Sequence, residues 1–231
     1  AVGGVININA ESDVNITSIN TLFENNKAEQ AGCIFAHSKA GQHLHLDLLN
    51  VSFVTNKAKK CGALYLSNSQ IVIQNCNFTA NTADQGIGVI GADLSQITIN
   101  STTFSENSAL DSYIGISLIR VYNHSKLIID DTNFINNNAT SIVGKIEGGK
   151  GAVYAEHFCN VSIYNCYFLK QNGGCISCLH NVRLEVKQSV FMNNSAISIY
   201  DNSAVIDVHL TTTLVLQDSV IMNNKANRCT V

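Results

Sequence analysis

A single hexapeptide, repeated along the chain, limits what this sequence can fold into. F-x-x-N-x-A occurs as FENNKA from Phe23, FVTNKA from Phe53, FTANTA from Phe78, FSENSA from Phe104, FINNNA from Phe134 and FMNNSA from Phe191, with degenerate copies FLKQNG from Phe168 and IMNNKA from Ile221. The eight anchors stand 23 to 34 residues apart, about 28 on average, and span nearly all of the 231 residues. A unit this small cannot bury its own apolar face. It must share a core with its neighbours, so the repeat predicts a stacked architecture.

Apolar side chains precede the anchors by seven and five residues, as Ile71 and Ile73, Ile97 and Ile99, Leu127 and Ile129, Val161 and Ile163, Leu184 and Val186, Leu214 and Leu216. Alternation of this kind is strand periodicity. A small or moderate residue two before each anchor (Thr21, Val51, Cys76, Thr102, Thr132, Cys166, Ser189, Ser219) continues the inward face. A glycine-led strand opens most units, as GGVI from Gly3, GCIF from Gly32, GALY from Gly62, GAVY from Gly151 and GCIS from Gly174. Each unit therefore predicts two or three short strands joined by turns. Propeller blades need a longer repeat, and leucine-rich horseshoes need helices and a leucine pattern that is absent. The expected fold is all-β, a right-handed parallel β-helix of about eight coils, the hand following from the preference for right-handed crossovers. At about 4.8 Å per coil the rod would be roughly 38 Å long.

The box residues have structural roles in such a coil. The asparagine three after each anchor (Asn26, Asn56, Asn81, Asn107, Asn137, Asn194, Asn224) falls in a turn, where its amide can bond to the backbone and to the same amide in the next coil. The phenylalanines would form an offset stack along the coil axis. The glycine-led strand and the F-x-x-N box resemble the GGA[ILV] and FxxN repeats of chlamydial polymorphic outer-membrane proteins and of large protist surface proteins. The resemblance covers all eight repeats through short motifs. It implies a β-helical passenger region, extracellular or on the cell surface, with a role in adhesion. No membrane barrel of that family is read in this sequence, so its autotransporter part is not carried over.

Composition narrows the partners. Fourteen basic and seventeen acidic residues give a net charge of −3, with no basic run, which argues against nucleic acid. Charged residues make up 13% of the chain, about half the usual share, so neutral polar side chains cover the surface. No apolar stretch approaches the ~18 residues of a membrane span, and the start AVGGVININAESD lacks the features of a signal peptide. Residues 1–231 are read as one repeat domain, a segment of a longer chain or fibre. The N-x-[ST] sequons at Asn15, Asn50, Asn77, Asn100, Asn123, Asn138, Asn160 and Asn193 are about twice as many as chance would give. Strand phase turns Asn15, Asn50, Asn77, Asn100, Asn123 and Asn160 toward solvent, whereas Asn138 and Asn193 lie beside the asparagine ladder. The expected partners are covalent N-glycans, further repeats or copies of the chain stacked end to end, and surface glycans or receptors.

Eight cysteines favour an oxidising compartment. Cys33 with Cys61, and Cys159 with Cys178, fall at nearby places in successive coils, where bridges are conceivable. Cys76 and Cys166 sit at inward positions as buried thiols. Cys175 and Cys178 form a lone CxxC, without the second pair of a zinc ribbon or the helix of a redox motif. A β-helical polysaccharide lyase or hydrolase, the alternative reading, requires clustered carboxylates near a basic side chain. The only adjacent acids are Asp130 and Asp131, and equivalent positions in neighbouring coils are Asn100, Ser101, Tyr164 and Asn165. His43 and His45 alternate on one strand face, and His157 and His180 fall on adjacent coils, with no acidic partner evident from spacing. No threonine row of an ice-binding face recurs from coil to coil. No catalytic residue, metal ligand or cofactor is assigned.

Overall fold

The computed structural model describes residues 3–110, 114–140, 147–196 and 204–226; Cys229 lies outside them. Over these residues the chain winds into a parallel β-solenoid with no helix, and none therefore long and apolar enough to cross a membrane. The first coil contributes β1 (Ile6–Ala10), β2 (Val14–Ile19), β3 (Leu22–Glu24) and β4 (Lys27–Ala28). Strands equivalent to β1, β2 and β3 form three eight-stranded sheets, each strand pairing with its counterparts in adjacent coils, which makes seven full turns. The fourth strand was not among the two or three expected. It is only two residues long, too short for alternation to show in sequence, and centres on the box alanine as in Lys57–Ala58, Thr82–Ala83 and Ser108–Ala109.

Register follows the repeat despite its uneven spacing. Phe23, Phe53, Phe78, Phe104, Phe134, Phe168, Phe191 and Ile221 pair in one unbroken column of the third sheet. The phenylalanine rings stack at centroid separations of 4.7 to 4.9 Å with interplanar angles of 2 to 6°. Differences in coil length are absorbed outside the sheets. Between the paired positions His37 and Ser67 and the paired positions His45 and Gln70, the second coil interposes residues 38–44 and the third only residues 68 and 69.

The amide ladder links every coil, by both backbone and side chain except at Gln171, where the Asn137 side chain alone makes the link on one side and the Gln171 backbone N–H, to Asn194, alone makes it on the other. In coil after coil the asparagine side-chain oxygen accepts from both the backbone N–H and the amide of the preceding asparagine, as Asn81 Oδ1 does from Asn56 N at 3.0 Å and Asn56 Nδ2 at 2.9 Å. The other amide hydrogen goes to the anchor carbonyl one coil back, as from Asn81 to Phe53 O at 2.8 Å and from Asn107 to Phe78 O at 2.8 Å. Both donors and the acceptor of each buried amide are thereby satisfied, which removes the penalty of burying it. Gln171, unnoticed in the degenerate box FLKQNG, holds the same rung: it accepts from Asn137 Nδ2 at 3.1 Å and donates to Phe134 O at 2.8 Å.

The turns explain the asparagine-rich composition. Asn20, Asn50, Asn75 and Asn165 at the corner after the second-sheet strand, and Asn25, Asn136, Asn193 and Asn223 just before the ladder, have φ between 50 and 57°. Asparagine tolerates this left-handed region because its short side chain bonds locally.

Candidate functional site

The sequons occupy outer positions throughout. Asn15, Asn50, Asn77, Asn160 and Asn193 are exposed, and Asn100, Asn123 and Asn138 are half-buried. Asn50 and Asn193 owe their exposure to left-handed turns and Asn15, Asn77 and Asn160 to the outward phase of their strands. Asn123 Nδ2 donates to Asp93 Oδ1 at 2.9 Å, and Asn138 Oδ1 accepts from Thr140 Oγ1 at 2.7 Å.

The anticipated bridges do not form: Cys33, Cys61, Cys159 and Cys178 are free and buried, as are Cys76, Cys166 and Cys175. Register separates the two pairs. Cys61 bridges to Ala31, two residues before Cys33, and Cys178 pairs with Ala155, four residues before Cys159. Burial pushes the thiols up, to about 12 at Cys33 and Cys166 and about 11 at Cys159, so they are neither nucleophiles nor thiolate ligands at neutral pH. Three of them replace turn hydroxyls. Cys166 Sγ donates to Tyr164 O at 2.9 Å and Cys76 Sγ to Gln74 O at 3.2 Å, as Thr102 and Thr132 donate to Asn100 O and Asp130 O. Cys159 Sγ donates to Glu156 O at 3.0 Å, at the corner where Ser95 and Ser125 make the equivalent bonds.

The densest polar cluster lies on the outer face of the first sheet. Arg120 pairs in register with Tyr154, and Tyr122 with Glu156. Glu156 Oε1 accepts from Arg120 Nε at 3.1 Å and from its Nη2, and Oε2 accepts from the Tyr154 hydroxyl at 2.7 Å. The guanidinium stands 5.3 Å from the ring centres of both Tyr122 and Tyr154, and the Tyr122 hydroxyl lies 2.7 Å from that of Tyr65. Burial alone would raise the Glu156 carboxyl, but the Arg120 hydrogen bonds and charge, with the Tyr154 hydroxyl, hold it below the usual carboxylate range. Burial raises Tyr65 and Tyr122. The carboxyl is thus held ionised and the two phenols protonated, a constellation suited to binding rather than to proton transfer near neutral pH.

Sequence reasoning missed this cluster: Arg120 and Glu156 are 36 residues apart, and the register that pairs Tyr122 with Glu156 sets them diagonally across adjacent coils in a column that does not repeat. It also missed the acidic partners of the histidines. His45 Nε2 lies 2.9 Å from Asp47, His209 Nε2 2.7 Å from Asp207, and His157 Nε2 3.7 Å from Glu156. The first two are i, i+2 pairs sharing a strand face, a spacing that was legible. His157 and His180 do meet on adjacent coils, with rings stacked 4.9 Å apart. Asp130 and Asp131 diverge: Asp130 accepts from Asn165 Nδ2, while Asp131 accepts from Ser101 Oγ across an exposed turn. Among the described residues no three histidine, cysteine, aspartate or glutamate side chains converge as a metal site would require.

Fold and outer surface together define a parallel β-solenoid with a uniform interior and a polar, low-charge flank. No family model and no curated protein matches the chain.

Proposed function

We propose that the chain is an extracellular or cell-surface β-helical rod, structural or adhesive, that carries N-glycans along its flanks and continues end to end through further repeats or copies of itself. The observation that carries this reading is the placement of the sequons: all eight asparagines keep an outer position, five exposed and three half-buried, and none is a rung of the buried ladder. Sugars on those flanks would supply the solubility that so few charges provide. The end coils are less covered than the inner ones. Leu216 is 38% exposed in the last coil, whereas its register partner Val186 is fully buried, and Leu214 and Ile221 are only partly covered. The ladder is polar: among the described residues Asn26 Oδ1 in the first coil accepts no bond and the Asn224 backbone N–H in the last donates none. Stacking of one copy on another along this ladder would be heterologous, since the ladder has a direction. The resemblance to bacterial and protist surface repeats points the same way.

The reading is tested on protein from its native source by intact mass before and after enzymatic deglycosylation, together with electron microscopy. A mass excess removed by the enzyme, and rods longer than the ~38 Å of eight coils, are expected. Unmodified mass with compact single particles would overturn it.

A further inference from the structure

We infer that the corner between the first and second sheets, in coils two to four, is a binding site for one ring of a neutral saccharide; the inference rests on the adhesive, glycan-facing reading above and gives it a location. A groove of about 240 Å³ opens there, lined by Gln42, His43, His45, Asn68, Gln70 and Gln96, with Leu94 beside them. Its origin is the mismatch in corner length. The seven residues 38–44 of the second coil overhang the two residues, 68 and 69, that make the same corner in the third. The floor is one outward column of the second sheet, in which His45, Gln70 and Gln96 are register partners.

The overhang is fastened. Ser38 Oγ donates to Gln42 O at 2.9 Å, Asn68 Nδ2 donates to Lys39 O at 3.0 Å, and His43 N donates to Asp13 Oδ1 at 2.8 Å. Lys39 Nζ also pairs with Glu11 at 2.7 Å. A wall held before a ligand arrives lowers the ordering cost of binding.

The lining states the ligand's chemistry. No lysine, arginine, aspartate or glutamate is among the lining residues, so nothing selects a phosphate or a uronate. Among the described residues the side chains of His43, Gln70 and Gln96 make no hydrogen bond, and each can both donate and accept, as recognition of hydroxyl groups demands. Leu94 supplies the apolar element. It is 53% exposed and has a φ of 49°, a bulky side chain held in the disfavoured left-handed region and displayed to solvent, where folding gains little from it. An apolar side chain facing a row of amides matches the C–H face and the hydroxyl rim of a pyranose. The volume, below the ~300 Å³ of common small-molecule pockets, fits one ring and not a peptide. Asn15 pairs in register with His45, so the sugar can come from the chain's own Asn15 glycan or from another molecule.

The test is an NMR titration of the whole isotopically labelled chain, with and without its glycans, against N-acetylglucosamine trimer, mannotriose and galacturonate trimer. The expected result, in the deglycosylated chain, is saturable shifts at His43, Gln70 and Gln96 with a neutral trimer. Binding should weaken at least tenfold in the Gln70→Ala/Gln96→Ala variant, whose sites are exposed and leave the core intact, and stay unchanged in His157→Ala. In the glycosylated chain, undiminished binding assigns the site to a foreign glycan, and binding that appears only in Asn15→Gln assigns it to the chain's own; either supports the site. No saturable shift with a neutral sugar up to about 10 mM, an equal response to galacturonate, or indifference to the double variant would overturn it. These outcomes are read independently of whether native protein carries glycans or forms rods.

Discussion

The inner column of the third sheet and the outer column of the first run side by side through the same coils and obey different rules. The inner column repeats one side chain, phenylalanine, until isoleucine ends it at Ile221. The outer column reads Asn7, Phe35, Tyr65, Gly91, Arg120, Tyr154, Ser177 and Asp207, with almost no repetition. Stacking explains the first: each ring meets an identical ring above and below inside one shared apolar core, so one solution serves every coil. The second column is released from that constraint, and it is there that a buried ion pair, stacked rings and loops of unequal length accumulate. In a solenoid, uniformity marks what holds the coils together, and departure from uniformity marks where to look for function.

The contrast can be broken most forcefully from inside. Phe104→Ala should cost about 3–5 kcal/mol, since it opens a cavity between two stacked rings. An effect under about 1 kcal/mol in denaturant unfolding would place that ring outside the stack. Asn107→Ala should cost about 3 kcal/mol, because it strands the Asn81 N–H, one Asn81 amide hydrogen and the Phe78 carbonyl.

On the outer face, Arg120→Met should cost about 2–3 kcal/mol at neutral pH by leaving Glu156 charged and largely buried. The pH dependence separates this from a packing loss. Glu156 in the folded chain titrates below its unfolded value, so its contribution is present above the ordinary carboxylate range and is lost as pH falls through the depressed folded value. Without Arg120 burial dominates and the folded value rises above the unfolded one. The variant should therefore recover stability relative to wild type as pH falls through the carboxylate range, and a parallel pair of stability curves would contradict the assignment.

The smallest effects sharpen the comparison. Cys76→Ser should change stability by less than about 1 kcal/mol, because Thr102 and Thr132 already make the same turn bond in the following coils. A loss of several kcal/mol would give that sulfur a role beyond the turn.

What the sequence disclosed follows the same division. The phenylalanine column, the asparagine ladder and the parallel stacking were legible because each coil restates them at fixed offsets from the anchor. Gln171 escaped because its box is degenerate; its longer amide reaches Asn137 Nδ2 and Phe134 O as an asparagine would but turns its second hydrogen to Leu169 O. The Arg120–Glu156 pair escaped because it lies in an outward column whose residues do not repeat, and the groove because it depends on how many residues a coil places outside its sheets, a number that leaves no local pattern. The expected Cys33–Cys61 and Cys159–Cys178 bridges failed on the same point, since nearness in the repeat does not guarantee equal register.

The central claim is that a fully satisfied amide ladder and its phenylalanine stack bind the coils into one cooperative rod. Native-state hydrogen exchange tests it most directly at the backbone N–H groups of Asn56, Asn81 and Asn107, which donate to the side-chain oxygen of the next coil rather than to a strand neighbour. The account predicts that these turn amides exchange only through global opening, as slowly as the central sheet amides. Exchange at the rate of an unprotected backbone amide would contradict it.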